Sequence, residues 1–122
     1  MLHSVPIGSK QIDTHEALLQ TVTENQTPVL LQLSAPWCAR CQPFSDIIRN
    51  ELSARTALWL WNDVSNDREI VEYYEITKLP AVIIFDAQQS TTPQFIQSAN
   101  RETLVTLLDH VMSKRLILDE DF

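Results

Sequence analysis

The sequence predicts an α/β protein in which a central mixed β-sheet of four to five strands is sandwiched by about four helices. Two strongly apolar runs, at residues 29–33 and 81–85, are typical of central strands covered on both faces. Strand and helix patterns alternate early in the chain, which implies parallel pairing. A polar turn at residues 86–92 joins the last two strands, which implies a hairpin.

The N-terminal half is expected to begin with an edge strand and a helix. Val5 and Ile7 form a short apolar group broken by Pro6, and proline is tolerated in an edge strand. Asp13 and Glu16 form a capping-box pattern at the start of the first helix. We therefore expect an edge strand, a helix, a strand, a second helix and a further strand, at residues 1–10, 13–25, 29–33, 38–55 and 57–64.

The C-terminal half is expected to contain a short helix, two strands and a final helix, at residues 66–74, 81–85, 94–97 and 100–115. Asn66 with Glu69 and, later, Asn100 are the predicted helix caps. The sequence thus predicts a single domain over residues 1–122, with its core at residues 13–115 and an acidic tail at residues 116–122.

Composition excludes several classes of partner. The net charge of −7 and the pI of about 4.7 argue against nucleic acid and anionic membranes. No apolar run approaches the ~20 residues that span a bilayer. Residues 1–10 lack the pattern of a secretory signal, so we expect a cytoplasmic location or an equivalent reducing space. The single glycine, Gly8, rules out a glycine-rich phosphate loop.

Both cysteines of the chain, Cys38 and Cys41, lie where a predicted buried strand gives way to a helix. Two thiols at this spacing on the first turn of a helix can close a small disulfide ring with little backbone movement. The field of the helix dipole stabilises a thiolate at the helix N-terminus, and the thiolate is the reactive form. The arrangement favours redox chemistry.

Four other interpretations of the cysteines are weighed. The first is that the cysteines are two small core residues, but Trp37, Arg40 and their neighbours are typical of a turn and a helix start. A static disulfide is rare in cytosolic chains and closes too short a loop here to stabilise much. Half of a zinc site would need further ligands, and the three histidines show no ligand spacing. The fourth alternative, that the cysteines ligate a metal cluster shared between two chains, is not excluded by the sequence.

The chain resembles the thioredoxin family at two motifs. One is Trp37-Cys38-Ala39-Arg40-Cys41 after an apolar strand, and the other is Leu79-Pro80 before the apolar run at residues 81–85. Residues 62–67 also resemble the family, and the likeness covers about residues 13–115. The resemblance implies a thioredoxin fold with a redox-active Cys38–Cys41 disulfide.

The resemblance also implies roles for site residues. Cys38 would be the exposed nucleophile and Cys41 the resolving thiol. Pro80 would be a cis proline packed against the disulfide, turning the Leu79 backbone towards an extended substrate segment. Trp37 would offer an apolar contact surface. The plainer alternatives are an ordinary strand-start proline at Pro80 and simple packing at Trp37.

Three positions depart from the family pattern. Gln32 stands where many thioredoxins carry a buried Asp, and Trp61 stands where they often carry a Lys. Because Gln cannot take up a proton, release of a mixed disulfide by Cys41 would be slower or depend on water. Arg40 falls between the cysteines, where a cation would favour the Cys38 thiolate and make the disulfide more oxidising. Its alternative is a solvated surface charge.

We therefore predict an enzyme, a thiol–disulfide oxidoreductase acting on protein disulfides and recycled by a reductase. The dithiol carries the electrons, so no bound cofactor and no metal are expected, and we expect a monomer. The alternative is a thioredoxin-like binding or assembly module that uses the surface of Trp37, Leu79 and Pro80. A third hypothesis is metal or cluster binding across a dimer.

Overall fold

The structure is a computed structural model that describes residues 5–86 and 93–120, with side chains described up to residue 112 of the last helix. Its strands are β1 (Lys10–Gln11), β2 (Val29–Ser34), β3 (Leu58–Asp63), β4 (Ala81–Phe85) and β5 (Gln94–Ile96). Its helices are α1 (His15–Glu24), α2 (Cys41–Leu52), α3 (Glu69–Tyr73) and α4 (Arg101–Glu120).

The strands form one mixed sheet in the order β1-β3-β2-β4-β5. β3 pairs in parallel with both β1 and β2, whereas β4 pairs antiparallel with β2 and with β5. Every residue of β2 and β4 is buried, as the two apolar runs predict for central strands. The predicted mixed sheet between helices is confirmed.

The sheet separates two cores, because successive side chains of a strand point to opposite faces. On one face Leu31 and Leu33 pack among residues of α1 and α3. On the other face Leu30 packs with Phe44 of α2 and Leu104 of α4. Gln32 follows the same alternation as Leu30 and therefore points towards α2, although it is polar.

An ion-pair cluster joins the end of α2 to α4. Arg55 bonds Glu51 at 3.0 Å and Asp109 at 2.8 Å, and Arg101 reaches Glu51 at 2.8 Å. The hydrogen bond from Arg55, assisted by Arg101, holds the pKa of Glu51 below its usual value. These contacts fix the helix that begins at the second cysteine.

The predicted edge strand around Val5 and Ile7 is wrong: of residues 5–10 only Lys10 pairs, in β1, and residues 1–4 of the predicted range lie outside the described residues. The chain turns first: the N–H of Ser9 donates to the Pro6 carbonyl at 3.0 Å, and Gly8 has a φ of 98°. That φ is left-handed backbone that glycine adopts freely. Ile7 consequently remains 83% exposed instead of joining the sheet.

The cap of α1 is Thr14, and the prediction of Asp13 is wrong by one residue. The Thr14 hydroxyl accepts from the N–H of Ala17 at 3.1 Å, while Asp13 accepts from the Gln11 side chain. The physical reason is the sheet: the N–H of Ile12 still bonds the Trp61 carbonyl at 2.9 Å. The backbone is thus still part of the sheet at Ile12, and the Asp13 carboxylate binds the Gln11 side chain and not the first N–H groups of the helix.

Replacing Thr14 with alanine is expected to lower the free energy of unfolding by about 1 kcal/mol, because the first turn of α1 loses its side-chain acceptor. Denaturant unfolding measures this change. Asp13→Ala is the matched control, and we expect little loss there. Burial, and secondly the Asp13 carboxylate, raise the pKa of Asp67, so removing Asp13 relieves a repulsion. A larger loss of unfolding free energy in Asp13→Ala than in Thr14→Ala would show that Asp13 is the helix cap after all.

α2 begins at Cys41, and the prediction that it starts near Cys38 is wrong. Proline lacks the N–H that a helix interior requires, but the first turn does not use it. A helix starting at Cys41 places Pro43 in its first turn. A start at Cys38 would place Pro43 in the interior, where its missing donor would break a bond.

The remaining predictions are mixed. The Asn66 cap of α3 is wrong: Arg68 holds the cap position without a side-chain bond, and the Asp63 carboxylate instead binds Ser65. The Asn100 cap is confirmed, since its side chain accepts from the N–H of Thr103 at 3.0 Å. α4 continues to Glu120, so most of the predicted tail is helical backbone, in keeping with the absence of Gly and Pro there. Residues 87–92 of the polar turn lie outside the described residues.

Candidate active site

Cys38 and Cys41 form a disulfide whose Cα atoms are 5.5 Å apart. A tight turn presents the first cysteine, because the N–H of Cys38 donates to the Ala35 carbonyl at 3.1 Å and the N–H of Cys41 donates to the Cys38 carbonyl at 3.2 Å. The predicted bonding reach between the two thiols is confirmed.

The two cysteines differ in exposure. Cys41 is 1% exposed on the first turn of α2, whereas Cys38 lies in the preceding turn and is only partly buried. A substrate can therefore approach Cys38 and not Cys41. Cys38 also precedes the N-terminus of α2, where unpaired N–H groups and the helix dipole stabilise a negative charge. Both features suit an attacking thiolate at Cys38.

The structure also places three further predicted site residues, which are Trp37, Leu79 and Pro80. The Leu79–Pro80 peptide bond is cis, as the resemblance implies, and Pro80 is buried directly before β4. Leu79 and Cys38 are both partly buried against the same core cluster. Trp37 is 70% exposed, so the alternative that it simply packs in the core is wrong. An exposed tryptophan beside Cys38 fits a contact surface.

Beneath the disulfide lies a buried, uncharged network centred on Gln32, which has no solvent exposure. Its amide nitrogen donates to the Ser45 hydroxyl at 2.8 Å and to the Cys41 carbonyl at 3.4 Å. Its amide oxygen accepts from the Trp59 indole N–H at 3.2 Å. Ser45 in turn donates to the Cys41 carbonyl at 3.1 Å. The first turn of α2 is thus tied to β2 and β3 without a charged group.

Ser45 and Trp59 are the site residues that sequence reasoning missed. Trp61 is the strand partner of Gln32 and is buried, yet the hydrogen bond to Gln32 comes from Trp59. Ser45 lies one helical turn after Cys41, a spacing that puts its hydroxyl near the Cys41 carbonyl. The contact of Ser45 could therefore have been predicted from its spacing in the sequence. The contact of Trp59 could not, because it depends on how the strands pair.

Arg40 is exposed and holds the N-cap position of α2 without a side-chain hydrogen bond to the helix. No salt bridge forms to it within residues 5–86 and 93–112. Its exposure suits a solvated charge, and a tuning effect on Cys38 stays a prediction.

The described part of the chain contains neither a metal-binding cluster nor a membrane-crossing helix. No group of three or more His, Cys, Asp and Glu side chains is placed there to hold a metal ion. None of the helices described combines the length and the apolar character that a membrane crossing requires.

Replacing Gln32 with glutamate is expected to make stability depend on pH. Burial raises the pKa of a carboxyl above its unfolded value of about 4.3. The protonated form is tolerated in the folded state, so Gln32→Glu is expected to be most stable near pH 4 and to lose stability as the pH rises through the raised pKa. Denaturant unfolding between pH 4 and pH 8 measures this.

The matched control for that change is Gln42→Glu, because Gln42 is exposed on the first turn of α2. The helix N-terminus stabilises this exposed carboxylate, so Gln42→Glu is expected to gain a little stability as the pH rises above 4, which is opposite in sign to the change in Gln32→Glu. A pH-independent difference between Gln32→Glu and the unsubstituted protein would contradict the buried, uncharged network.

The fold and the site together define a thioredoxin-like protein: a disulfide-bonded Cys-x-x-Cys pair at a helix start and a cis proline directly before β4, on a mixed sheet between helices. The Thioredoxin family model matches residues 9–110, and the chain belongs to this family. The predicted thioredoxin fold is confirmed by its similarity to solved structures.

Two solved structures illustrate the fold. Chloroplastic thioredoxin z has a TM-score of 0.75 and 15% identity, with 91% of this chain and 99% of that chain covered. The Trichomonas vaginalis thioredoxin has a TM-score of 0.74 and 20% identity, with 84% and 96% covered.

Among curated proteins, the chain is similar to the thiol:disulfide interchange protein DsbD of Escherichia coli strain K12. The two are 32% identical over 93 residues, which covers 69% of this chain and 16% of DsbD. The chain therefore spans only a small part of the length of the curated relatives it matches.

Proposed function

We propose that the chain exchanges dithiols for disulfides in other proteins, with Cys38 as the nucleophile and Cys41 as the resolving thiol. The observation that carries the proposal is the asymmetry of the pair: one cysteine is partly exposed before the helix, and its mate is 1% exposed within bonding reach. In such a pair only Cys38 can bond to a substrate sulfur.

The exchange proceeds in two steps. The Cys38 thiolate attacks a substrate disulfide, a Cys38–substrate bond forms, and the other substrate sulfur leaves as a thiolate. Cys41, as a thiolate, then attacks the Cys38 sulfur and releases the second substrate thiolate. The protein gives up two electrons and becomes the Cys38–Cys41 disulfide, while the substrate gains two thiols after taking up two protons. The reverse sequence oxidises a substrate dithiol.

Three residues are proposed to bind the substrate. Trp37 supplies an exposed ring beside Cys38, and Leu79 packs against the same core cluster as that cysteine. Pro80 ends the loop that presents Leu79, whose backbone is proposed to pair with an extended substrate segment. An extended segment would bring its disulfide to Cys38 without unfolding the site.

Two residues are proposed to tune the chemistry. A cation at Arg40 favours the Cys38 thiolate and so stabilises the dithiol form, which makes the disulfide more oxidising. Gln32 offers no titratable group beneath Cys41, and its partners Ser45 and Trp59 are neutral at physiological pH. Water or the substrate is therefore proposed to take the Cys41 proton.

The dithiol carries both electrons, so we propose that no bound cofactor takes part and that a reductase recycles the disulfide. The likeness to DsbD, a thiol:disulfide interchange protein, supports the same exchange chemistry in this chain. A monomeric state and a cytoplasmic location stay predictions.

The proposal is tested by titrating the Cys38–Cys41 pair against glutathione buffers and counting free thiols by alkylation. We expect one reversible two-electron transition. A potential near about −270 mV would assign the chain to reduction, and one between about −180 and −120 mV to oxidation or isomerisation. A pair that stays oxidised or reduced throughout the titration would overturn the proposal.

The second candidate is a binding or assembly module, and the exposure of Trp37 is the observation that favours it. The chain would be such a module if two results are found together. The unsubstituted protein and the Cys38→Ser/Cys41→Ser variant bind a disulfide-containing partner with equal affinity, and the unsubstituted protein catalyses no exchange. Isothermal titration with both proteins measures this.

A further inference from the structure

A small cavity of about 100 Å³ opens beside the redox turn. Val64, Val71 and Ile76 contribute apolar side chains to it, and Leu79 and Trp37 of the redox turn also line it. Since an apolar cavity of about 150 Å³ accommodates benzene, this smaller one suits one aliphatic side chain. A substrate segment bound at Cys38 would place a neighbouring side chain there.

The charged residues that line this cavity are both cations, Arg68 and Lys78. This is unexpected in a chain that has 16 acidic and only 9 basic residues. The charged side chains that line the cavity are therefore opposite in sign to the net charge of the whole protein, and Arg68 also pairs with Glu72 beside the lining. Local charge of this kind selects among partners by complementarity.

Both cations have donors left for a ligand. Arg68 is 62% exposed and uses its Nε for Glu72 at 3.2 Å, whereas a guanidinium has several further N–H donors. Lys78 is exposed, and its ammonium forms no salt bridge within the described side chains. The Gln97 side chain fixes the loop by accepting from the backbone N–H groups of Thr77 and Lys78 at 3.0 and 3.3 Å.

We propose that this cavity selects protein segments that carry an aliphatic side chain next to an aspartate or glutamate, close to the disulfide to be exchanged. The aliphatic group fills the cavity, and the carboxylate lies between Arg68 and Lys78. The inference rests on the proposed exchange at Cys38 and adds the class of substrate to it.

The test uses four disulfide-bonded peptides that share one sequence around the cystine. Three carry leucine followed by aspartate, asparagine or lysine, and the fourth carries serine followed by aspartate. We expect kcat/KM to be roughly threefold to tenfold higher for aspartate than for asparagine at low salt, and lowest for lysine. The preference is expected to shrink at 1 M salt, where exposed charges are screened. Replacing leucine with serine is expected to lower kcat/KM by about tenfold or more.

Variants of the protein assign the preference to the two cations. Arg68→Gln and Lys78→Gln are each expected to weaken the aspartate preference, and the double variant is expected to abolish it. Lys10→Gln is the matched control, because Lys10 is an exposed cation of β1 outside the cavity lining. It is expected to keep the full preference.

Reduction of hydroxyethyl disulfide separates the two proposals, since this small disulfide cannot occupy the cavity and the redox turn together. If the unsubstituted protein reduces it but treats the aspartate and asparagine peptides alike, the cavity inference is overturned and the exchange function stands. The cavity inference is equally overturned if the double variant keeps the preference or if the lysine peptide is favoured. If neither hydroxyethyl disulfide nor any of the four peptides is reduced, both proposals are overturned.

Discussion

Replacing Cys38 with serine is expected to abolish catalysed disulfide reduction, with a loss on the order of 10³-fold or more. Serine cannot form a reactive thiolate, and the remaining thiol at Cys41 is 1% exposed, so it cannot reach a protein disulfide. Cys41→Ser leaves the outer thiol in place. That variant is expected to attack substrate once and to remain joined to it, because no resolving thiol is present.

These outcomes are measured by following reduction of a disulfide-bonded test protein and by mass spectrometry of the products without reducing agent. The Cys41→Ser sample is expected to contain a covalent adduct that disappears on adding dithiothreitol. The double variant is the control and is expected to give neither reduction nor adduct. An adduct formed by Cys38→Ser would mean that Cys41 is the nucleophile. Full turnover by Cys38→Ser would mean that Cys38 is not needed for the reaction.

Phe44→Ala is expected to lower the free energy of unfolding by about 3–5 kcal/mol. The ring is completely buried and packs with Leu30 of β2 and Leu104 of α4. It lies on the same helix as Cys41, and the N–H of Phe44 bonds the Arg40 carbonyl at 3.1 Å. Its loss leaves a cavity under the first turn of α2, and a small domain has only about 5–15 kcal/mol in total.

The comparison is made by denaturant unfolding of the oxidised protein, where the midpoint shifts while the slope stays constant. Phe44→Leu is expected to lose less, because part of the volume is retained. Gln42→Ala is the surface control on the same turn and is expected to change stability by less than about 0.5 kcal/mol. A loss below about 1 kcal/mol for Phe44→Ala would contradict its placement in the core.

The parts of the fold that could be predicted are those set by patterns within single segments. The apolar runs that became β2 and β4 needed no knowledge of the rest of the chain, because a strand buried on both faces is apolar along most of its length. The cis Leu79–Pro80 bond was available only through the resemblance to thioredoxins. The Asn100 cap was correct because its partner, the N–H of Thr103, lies within the same short segment.

Two predictions failed where a hydrogen bond outside the predicted pattern redirects the chain. The start of α1 moved to Thr14 because Ile12 is still bonded to β3. The edge strand moved away from Val5 and Ile7 because the turn at Gly8 redirects the chain before it reaches the sheet. At α1 the competing bond joins Ile12 to another segment, whereas at Gly8 it is the turn bond from Ser9 to Pro6.

The amino-acid sequence by itself determined that Cys38 and Cys41 can bond, since their spacing and the helix after them limit how far apart they can lie. It also determined that no carboxylate stands at Gln32. Only the tertiary structure decided what that amide does there. Strand pairing brings Trp59 to its oxygen and helix packing brings Ser45 to its nitrogen. Buried polar groups must find partners, and segments far apart in the chain meet only when the sheet and its helices assemble.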